Sequence, residues 1–179
     1  VFFDKKSGIV ISVDTYNSNV HFIGFKYPEF IIKKIIRSSL SDLLSKGVTP
    51  KYYFLSGGGN KNTFTKINLS LILKSLKEEQ KKYSIKIGGG DTVYSKIPSF
   101  SVTVIGFSNK IIERNNAKIN DDIYVTGNLG DSFLGLKIMQ NKINVKRVQK
   151  KYFINKYYCP DLPFYFSKKL NSFANTSID

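Results

Sequence analysis

Two spacings of apolar residues alternate along the chain. Ile9 to Val13 is a β-branched run, which predicts a buried strand that delivers Asp14 at its C-terminal end. Tyr16 to Gly24 then reads as a loop. From Pro28 the spacing becomes helical, with Phe30, Ile31, Ile35, Leu40 and Leu43/Leu44 on one face. Pro28 suits a first helical turn, and Gly47 closes the helix with Pro50 beyond it. Lys51 to Ser56 predicts a strand, followed by a Gly57-Gly58-Gly59-Asn60 loop. Thr63 or Thr65 can cap a helix to about Lys82, with Ile67, Leu71, Leu73 and Leu76 setting its period. Tyr83 to Ile87 leans toward strand and leads into Gly88-Gly89-Gly90-Asp91-Thr92, read as a sharp turn. Ser99 to Phe107 alternates as a strand, and Asp122 to Gly127 forms a further one. Helices are expected from Phe133 to Gln140 and from Pro163 to about Ala174. The succession of strand and helix predicts an α/β (α+β) fold. A domain junction falls in the polar stretch after Asn109, giving domains 1–110 and 111–179.

Composition narrows the classes. With 41% hydrophobic and 14% aromatic residues in 179, the chain can bury a core. No apolar run approaches the ~18 residues of a membrane span. Cys159 is the only cysteine, so no intrachain disulfide forms and a reducing, cytoplasmic setting fits. One histidine and one cysteine argue against a zinc site or a Cys/His catalytic pair. The formal charge of +15 raises the question of nucleic acid. The lysines, however, are spread along the chain, and their densest runs, Lys146 to Lys151 and Glu78 to Lys82, fit solvated helix faces.

The candidate chemistry rests on aspartates. A glycine run lets backbone approach a ligand closely, Asp91 at its end can hold a divalent cation, and nearby backbone N–H groups can face phosphate oxygens. Taken alone, the stretch fits a plain Gly-rich turn with a surface aspartate at least as well. Asp14 at a strand end and Asp42 near a helix end add weight. Asp42 is poorly placed for the helix dipole, so a compensating cation is one account of it and simple tolerance another. Gly57 to Asn60 has neither the lysine nor the spacing of a P-loop. Gly130-Asp131-Ser132 opens a helix and offers an N-terminal anion seat. His21 alone reads first as structural, and Cys159 as a small buried residue.

Taken together, these motifs resemble the thiamine-monophosphate kinase family, in the superfamily of aminoimidazole ribonucleotide synthetase. The likeness rests on Ser12-Val13-Asp14 followed by Val20-His21-Phe22, and on Leu40-Ser41-Asp42-Leu43 with Gly47 and Pro50. Gly89-Gly90-Asp91-Thr92, Arg114 with Ala117-Lys118 and Asp122, and Val125-Thr126-Gly127 with Leu129-Gly130-Asp131-Ser132 continue it in order. Pro160 and the terminal Ile178-Asp179 are similar to the approach to an Asp-x-Ser-Asp-Gly motif, of which only the first Asp is present. The resemblance implies an N-terminal mixed β-sheet with flanking helices that pairs into a dimer barrel, plus the start of a second α+β domain. It implies that Ser12, Asp14, Asp42, Asp91 and Asp179 hold Mg²⁺, that Gly90, Asp91 and Arg114 contact ATP, and that His21 lies against thiamine monophosphate. The partners implied are ATP, thiamine monophosphate and a second copy of the chain, with no nucleic acid and no membrane. Direct in-line phosphoryl transfer would need no covalent enzyme intermediate.

Asn19 stands where that family carries glycine, as do Asn116 and Asp121 near Arg114. Asn tolerates a left-handed backbone better than most residues. The absence of an initiator Met and of a closing element leads us to expect a piece of a longer protein, cut at both ends and not competent for turnover alone. Alternatives in the same superfamily are a purine-precursor cyclo-ligase, a selenophosphate synthetase or a hydrogenase-maturation type. A basic nucleic-acid-binding module is the alternative from another class, distinguished by Mg²⁺-independent, steeply salt-dependent binding.

Overall fold

Alternation in β2 (Ile9–Asn17) turns Val10, Ser12 and Tyr16 inward and leaves Val13 62% exposed on the other side. The same alternation in β5 (Ser99–Phe107) buries Phe100, Val102 and Val104. These two strands pair antiparallel at the centre of one mixed sheet in a computed structural model that describes residues 1–179. The sheet order is β1-β2-β5-β3-β4, with β1 (Phe2–Asp4), β3 (Pro50–Gly59) and β4 (Lys86–Tyr94). β3 runs antiparallel to β5 and parallel to β4, as the crossover through α2 (Lys66–Tyr83) requires.

Helix α1 (Pro28–Ser45) lies on the inner face of the sheet and also touches α2, α4 (Arg147–Tyr158) and α5 (Phe164–Leu170). Being covered on two sides, it buries Ile32 and Ile36 as well as Ile31, Ile35, Leu40, Leu43 and Leu44. Each such side chain contributes on the order of 1.5–3 kcal/mol. Phe30, expected on that face, stays at its margin. Gly47 ends the helix in the left-handed region at φ 72, where its N–H reaches Leu44 O and Val48 N–H reaches Leu43 O. After β5 come α3 (Asp131–Met139), packed on α4, and then α5. No helix is long and apolar enough to cross a membrane.

Several local expectations are corrected. β2 continues to Asn17, so Asp14 sits within the strand rather than at its end. Gly57 to Gly59 are the buried end of β3, not a loop. Side chains there would collide with Phe100, Ser99 and Thr63, so the glycines serve packing. Gly88 to Asp91 are likewise part of the exposed edge strand β4, not a turn. A Cβ on Gly90 would stand 1.9 Å from the Leu55 carbonyl oxygen, so only glycine lets β4 lie against β3 there. In α2, capped by Thr65 through Asn68 N–H, the buried face is Ile72, Ser75, Leu76, Glu79 and Tyr83, while Ile67 and Leu73 are exposed. Residues 122–127 form no strand: Ile123 and Tyr124 are exposed and no strand pairs with them. The last helix ends at Leu170, short of Ala174.

Two polar groups explain the rotated face of α2. Ser75 Oγ donates to Glu29 O at 3.0 Å, and Glu79 receives Arg37 of α1 through two bonds of 2.8 Å. Arg37 Nη1 also donates to Pro160 O at 3.3 Å, so one guanidinium ties α1 to α2 and to the segment after α4. Both side chains are almost fully buried. Removing one partner leaves the other charge uncompensated, so Glu79→Ala is expected to cost about 3–5 kcal/mol in urea unfolding. The double replacement Arg37→Met, Glu79→Leu should recover most of that. A single-variant loss below about 1 kcal/mol would show that the pair is not acting as a buried couple.

Candidate functional site

Oxygen donors from three parts of the chain gather near the C-terminal end of α1. Ser12 faces inward from β2, and its Oγ donates to the Asp42 carboxylate on the last turn of α1. Asp14, one inward position further along β2, accepts from Tyr16 Oη at 3.1 Å, and Tyr16 shares a second 3.1 Å bond with Ser39 Oγ. The terminal segment brings Asp179 to the same place, where its Oδ2 accepts from Ser41 Oγ at 3.3 Å. The Asp42 carboxyl is pushed above its usual range by burial, against the lowering effect of the Ser12 bond, and by the nearby charges of Asp14 and Asp179. Tyr16 is raised as well, first by burial and then by Asp14.

Lys46, the residue after α1, is buried beside this cluster and was not anticipated. Its Nζ donates to Ser177 O at 2.9 Å, close to Asp179. Burial lowers its pKa, the neighbouring Arg114 lowers it further, and Asp179 and Asp42 pull it back up. Arg114 is exposed and close enough to Lys46 for its charge to act on it. No three His, Cys, Asp or Glu side chains close around a single point. Mg²⁺ asks for less than that, usually one or two carboxylates with water and phosphate oxygens completing six positions. The hard-oxygen donors and the only partly relieved negative charge at Asp42 fit such an ion.

Asp91 is elsewhere. It shares a cross-sheet row with Ser56, Ser101 and Thr15, whereas Asp14 shares the adjoining row with Val102, Leu55 and Gly90. Adjacent rows face opposite sides of a sheet, and three strand spacings separate β2 from β4, about 14 Å. Gly90 and Asp91 thus sit on the free edge, with Asp91 Oδ1 turned back to accept from Thr92 N–H at 2.7 Å.

His21 lies in the loop between β2 and α1. Its Nδ1 accepts from Asn17 N–H at 3.0 Å, which leaves Nε2 to carry the hydrogen and act as an exposed donor. The ring stands edge-on to Tyr16, 5.8 Å between centroids, and so neighbours the Asp14 side of the cluster. Asn19 adopts φ 64, the left-handed backbone anticipated for it, whereas neither Asn116 nor Asp121 has positive φ. A cavity of about 580 Å³ opens beside the loop, lined by Asn19 to Ile23, Lys34, Tyr157 and the segment that starts α3. Lys34 is the cation of this wall. Its Nζ lies 3.9 Å over the Tyr157 ring and donates to Tyr157 O at 3.2 Å, and burial draws its pKa down to about 8. Neither Lys34 nor Tyr157 was signalled in the sequence, since each reads as an ordinary helix-surface residue.

The carboxylate geometry has a consequence for stability. An Asp42 pKa raised above 3.8 means that the folded chain holds that proton more tightly than the unfolded chain. Charged Asp42 therefore opposes folding above its folded-state pKa, and the penalty is relieved as pH falls through that value toward 3.8. In metal-free buffer, Asp42→Asn is expected to raise the thermal midpoint at pH 7, and the gain should shrink as pH is lowered toward 4. Equal midpoints at pH 7 would contradict the arrangement described.

Residues 1–108 match the family described as AIR synthase related protein, N-terminal domain. Thiamine-monophosphate kinase of Buchnera aphidicola subsp. Acyrthosiphon pisum is 34% identical over 180 residues, covering 98% of this chain and 54% of that protein. The crystal structure of thiamine monophosphate kinase from Aquifex aeolicus superposes with a TM-score of 0.88 at 24% identity, over 96% of this chain and 58% of that one. AaThiL complexed with AMPPCP and TMP gives a TM-score of 0.87 at 23% identity, over 94% of this chain and 54% of that one. The chain spans about half the length of the curated relatives it matches.

Proposed function

The chain belongs to the AIR synthase related protein family, and from that premise we propose that it is part of a kinase that converts thiamine monophosphate and ATP into thiamine diphosphate and ADP. The observation that carries this reading is the seat formed by Ser12, Asp14, Asp42 and Asp179, negative charge concentrated in a chain of formal charge +15. The related AaThiL complex holds AMPPCP and TMP, which supports the pairing of nucleotide and phosphorylated substrate. Residues 1–110 would form the first domain and 111–179 the beginning of a second. All five strands end by Phe107, which supports that division.

On this reading Ser12, Asp14, Asp42 and Asp179 would hold Mg²⁺, whose charge would neutralise the oxygens of the moving phosphoryl group. Asp91 on the edge strand would add a carboxylate on the nucleotide side. Gly90, lacking a side chain, leaves the β4 backbone open to ATP, and Arg114 can grip a phosphate through two parallel N–H bonds. His21 offers its Nε2–H to thiamine monophosphate. An oxygen of the substrate phosphate attacks the γ-phosphorus, and the bond to the ADP oxygen breaks. Positioning and charge suffice, so no covalent enzyme intermediate forms.

The test uses the full-length protein with Mg²⁺, thiamine monophosphate and ATP, following thiamine diphosphate and ADP. They should appear one to one, and Asp42→Asn should lower kcat by about a hundredfold or more. ATP binding without turnover would point to a different reaction within the family.

A second copy of the chain is part of the proposal. The outer sheet face carries Phe2, Val13, Tyr52, Phe54 and Phe107, all exposed, in neighbouring rows with nothing over them. A contiguous apolar face of this kind fits a two-fold interface. Val13→Glu at its centre should convert a dimer to a monomer in light scattering. An unchanged mass would place the interface elsewhere.

A further inference from the structure

We propose that Tyr157 of α4 is a positioning residue that fixes His21 at the mouth of the cavity. The inference rests on the kinase reading for its ligand, but its geometry is independent of it. Tyr157 is 5% exposed, and its hydroxyl donates to the His21 carbonyl at 3.2 Å. That is the one hydrogen bond between α4 and the loop after β2. The other side of His21 is already held: its N–H donates to Asn17 O at 2.9 Å, and its Nδ1 accepts from Asn17 N–H at 3.0 Å. The Tyr157 hydroxyl supplies the third point.

Packing alone does not require that hydroxyl, because phenylalanine would fill the same space. A buried phenol needs an acceptor, and this one takes the carbonyl of the only histidine. Tyr157 is in turn held from α1. Lys34 sits over its ring at 3.9 Å and donates to its carbonyl, so the residue cannot swing without breaking both contacts. The result is an exposed imidazole held at two backbone atoms and one ring nitrogen, lining a cavity of about 580 Å³. A fixed donor spends less entropy when it engages a ligand, which is the benefit of preorganisation.

The experiment compares full-length wild type, Tyr157→Phe and Tyr157→Ala. Thiamine monophosphate and AMPPCP are titrated separately by calorimetry, so no turnover is needed. Losing one hydrogen bond should weaken thiamine monophosphate binding by about fivefold in Tyr157→Phe, with AMPPCP affinity unchanged and the thermal midpoint only slightly lowered. Tyr157→Ala, which also removes the ring, should lower the midpoint. Equal thiamine monophosphate affinity for wild type and Tyr157→Phe would overturn the inference. So would a parallel loss for both ligands with a lower midpoint, which would mark Tyr157 as packing only. If wild type binds no thiamine monophosphate, the substrate reading fails and the positioning claim is read from the His21 imidazole NMR signals. A shift or broadening of those signals in Tyr157→Phe would uphold it, and identical signals would overturn it.

Discussion

The burial of α1 on two sides governs the rest of the structure. A helix lying on a sheet usually needs one apolar stripe, whereas α1 presents seven aliphatic side chains to the sheet and to other helices. With so little of its surface in water, its polar residues must find partners inside. Arg37 finds Glu79 and Pro160 O, and Ser39 finds Tyr16. Lys34 finds Tyr157, and Asp42 finds Ser12. These residues recur two or three positions apart, so a single rigid helix fixes the cavity wall, the interhelical ion pair and the carboxylate seat in relation to one another. The ion pair is the costliest of them to disturb, because either charge alone would remain in the core.

The same arrangement sets stability against function. Asp42 sits at the end of α1 where the helix dipole disfavours a negative charge, with Asp14 and Asp179 adding to the repulsion. Ser12 and Lys46 offset only part of this, and the Lys46 ammonium donates to Ser177 O rather than to Asp42. A fold under no other demand would carry an amide or an apolar residue here. Asp14 and Asp179 lie near enough to raise Asp42 without closing on one point, and the well-packed helix beneath them tolerates the cost.

Local pattern made α1, α3 and β5 legible because their residues obey one period without competition. Pro28 and Gly47 mark the limits of α1, and Ser99 to Phe107 is the strand as expected. The glycine runs misled for a physical reason. Gly57 to Gly59 and Gly88 to Gly90 carry the local signature of turns, yet they are glycines because Phe100, Thr63, Phe54 and the Leu55 carbonyl occupy the space a Cβ would need. Apart from Thr63, four residues after Gly59, those neighbours lie on other strands. The face of α2 was misassigned for a related reason: Ser75 and Glu79 look like surface residues until Ser75 is seen to donate to Glu29 O and Glu79 to accept from Arg37. The apolar run at 122–127 has the composition of a strand but no partner strand beside it. Of the candidate residues, Ser12 bonds Asp42 and Asp14 and Asp179 lie near it, while Lys34, Lys46 and Tyr157 gave no signal because lysines and tyrosines on helices are ordinary.

The sheet itself divides the chemistry. Its inner face holds the carboxylate seat against α1, and its outer face is apolar and uncovered, with Asp91 and Thr15 in one polar row across it. The break in register between Tyr53 and Phe54 and the glycines opposite bring β4 in against β3 where ordinary side chains would hold it away. That close approach leaves an edge strand with its backbone bare from Gly88 to Gly90, and Asp91 directly after. An edge so free of side chains is a liability for a protein in water, since it invites pairing with other chains. Its retention is understandable if the exposed backbone is itself the contact surface. On the proposed reading the inner face gathers charge and the free edge admits the nucleotide.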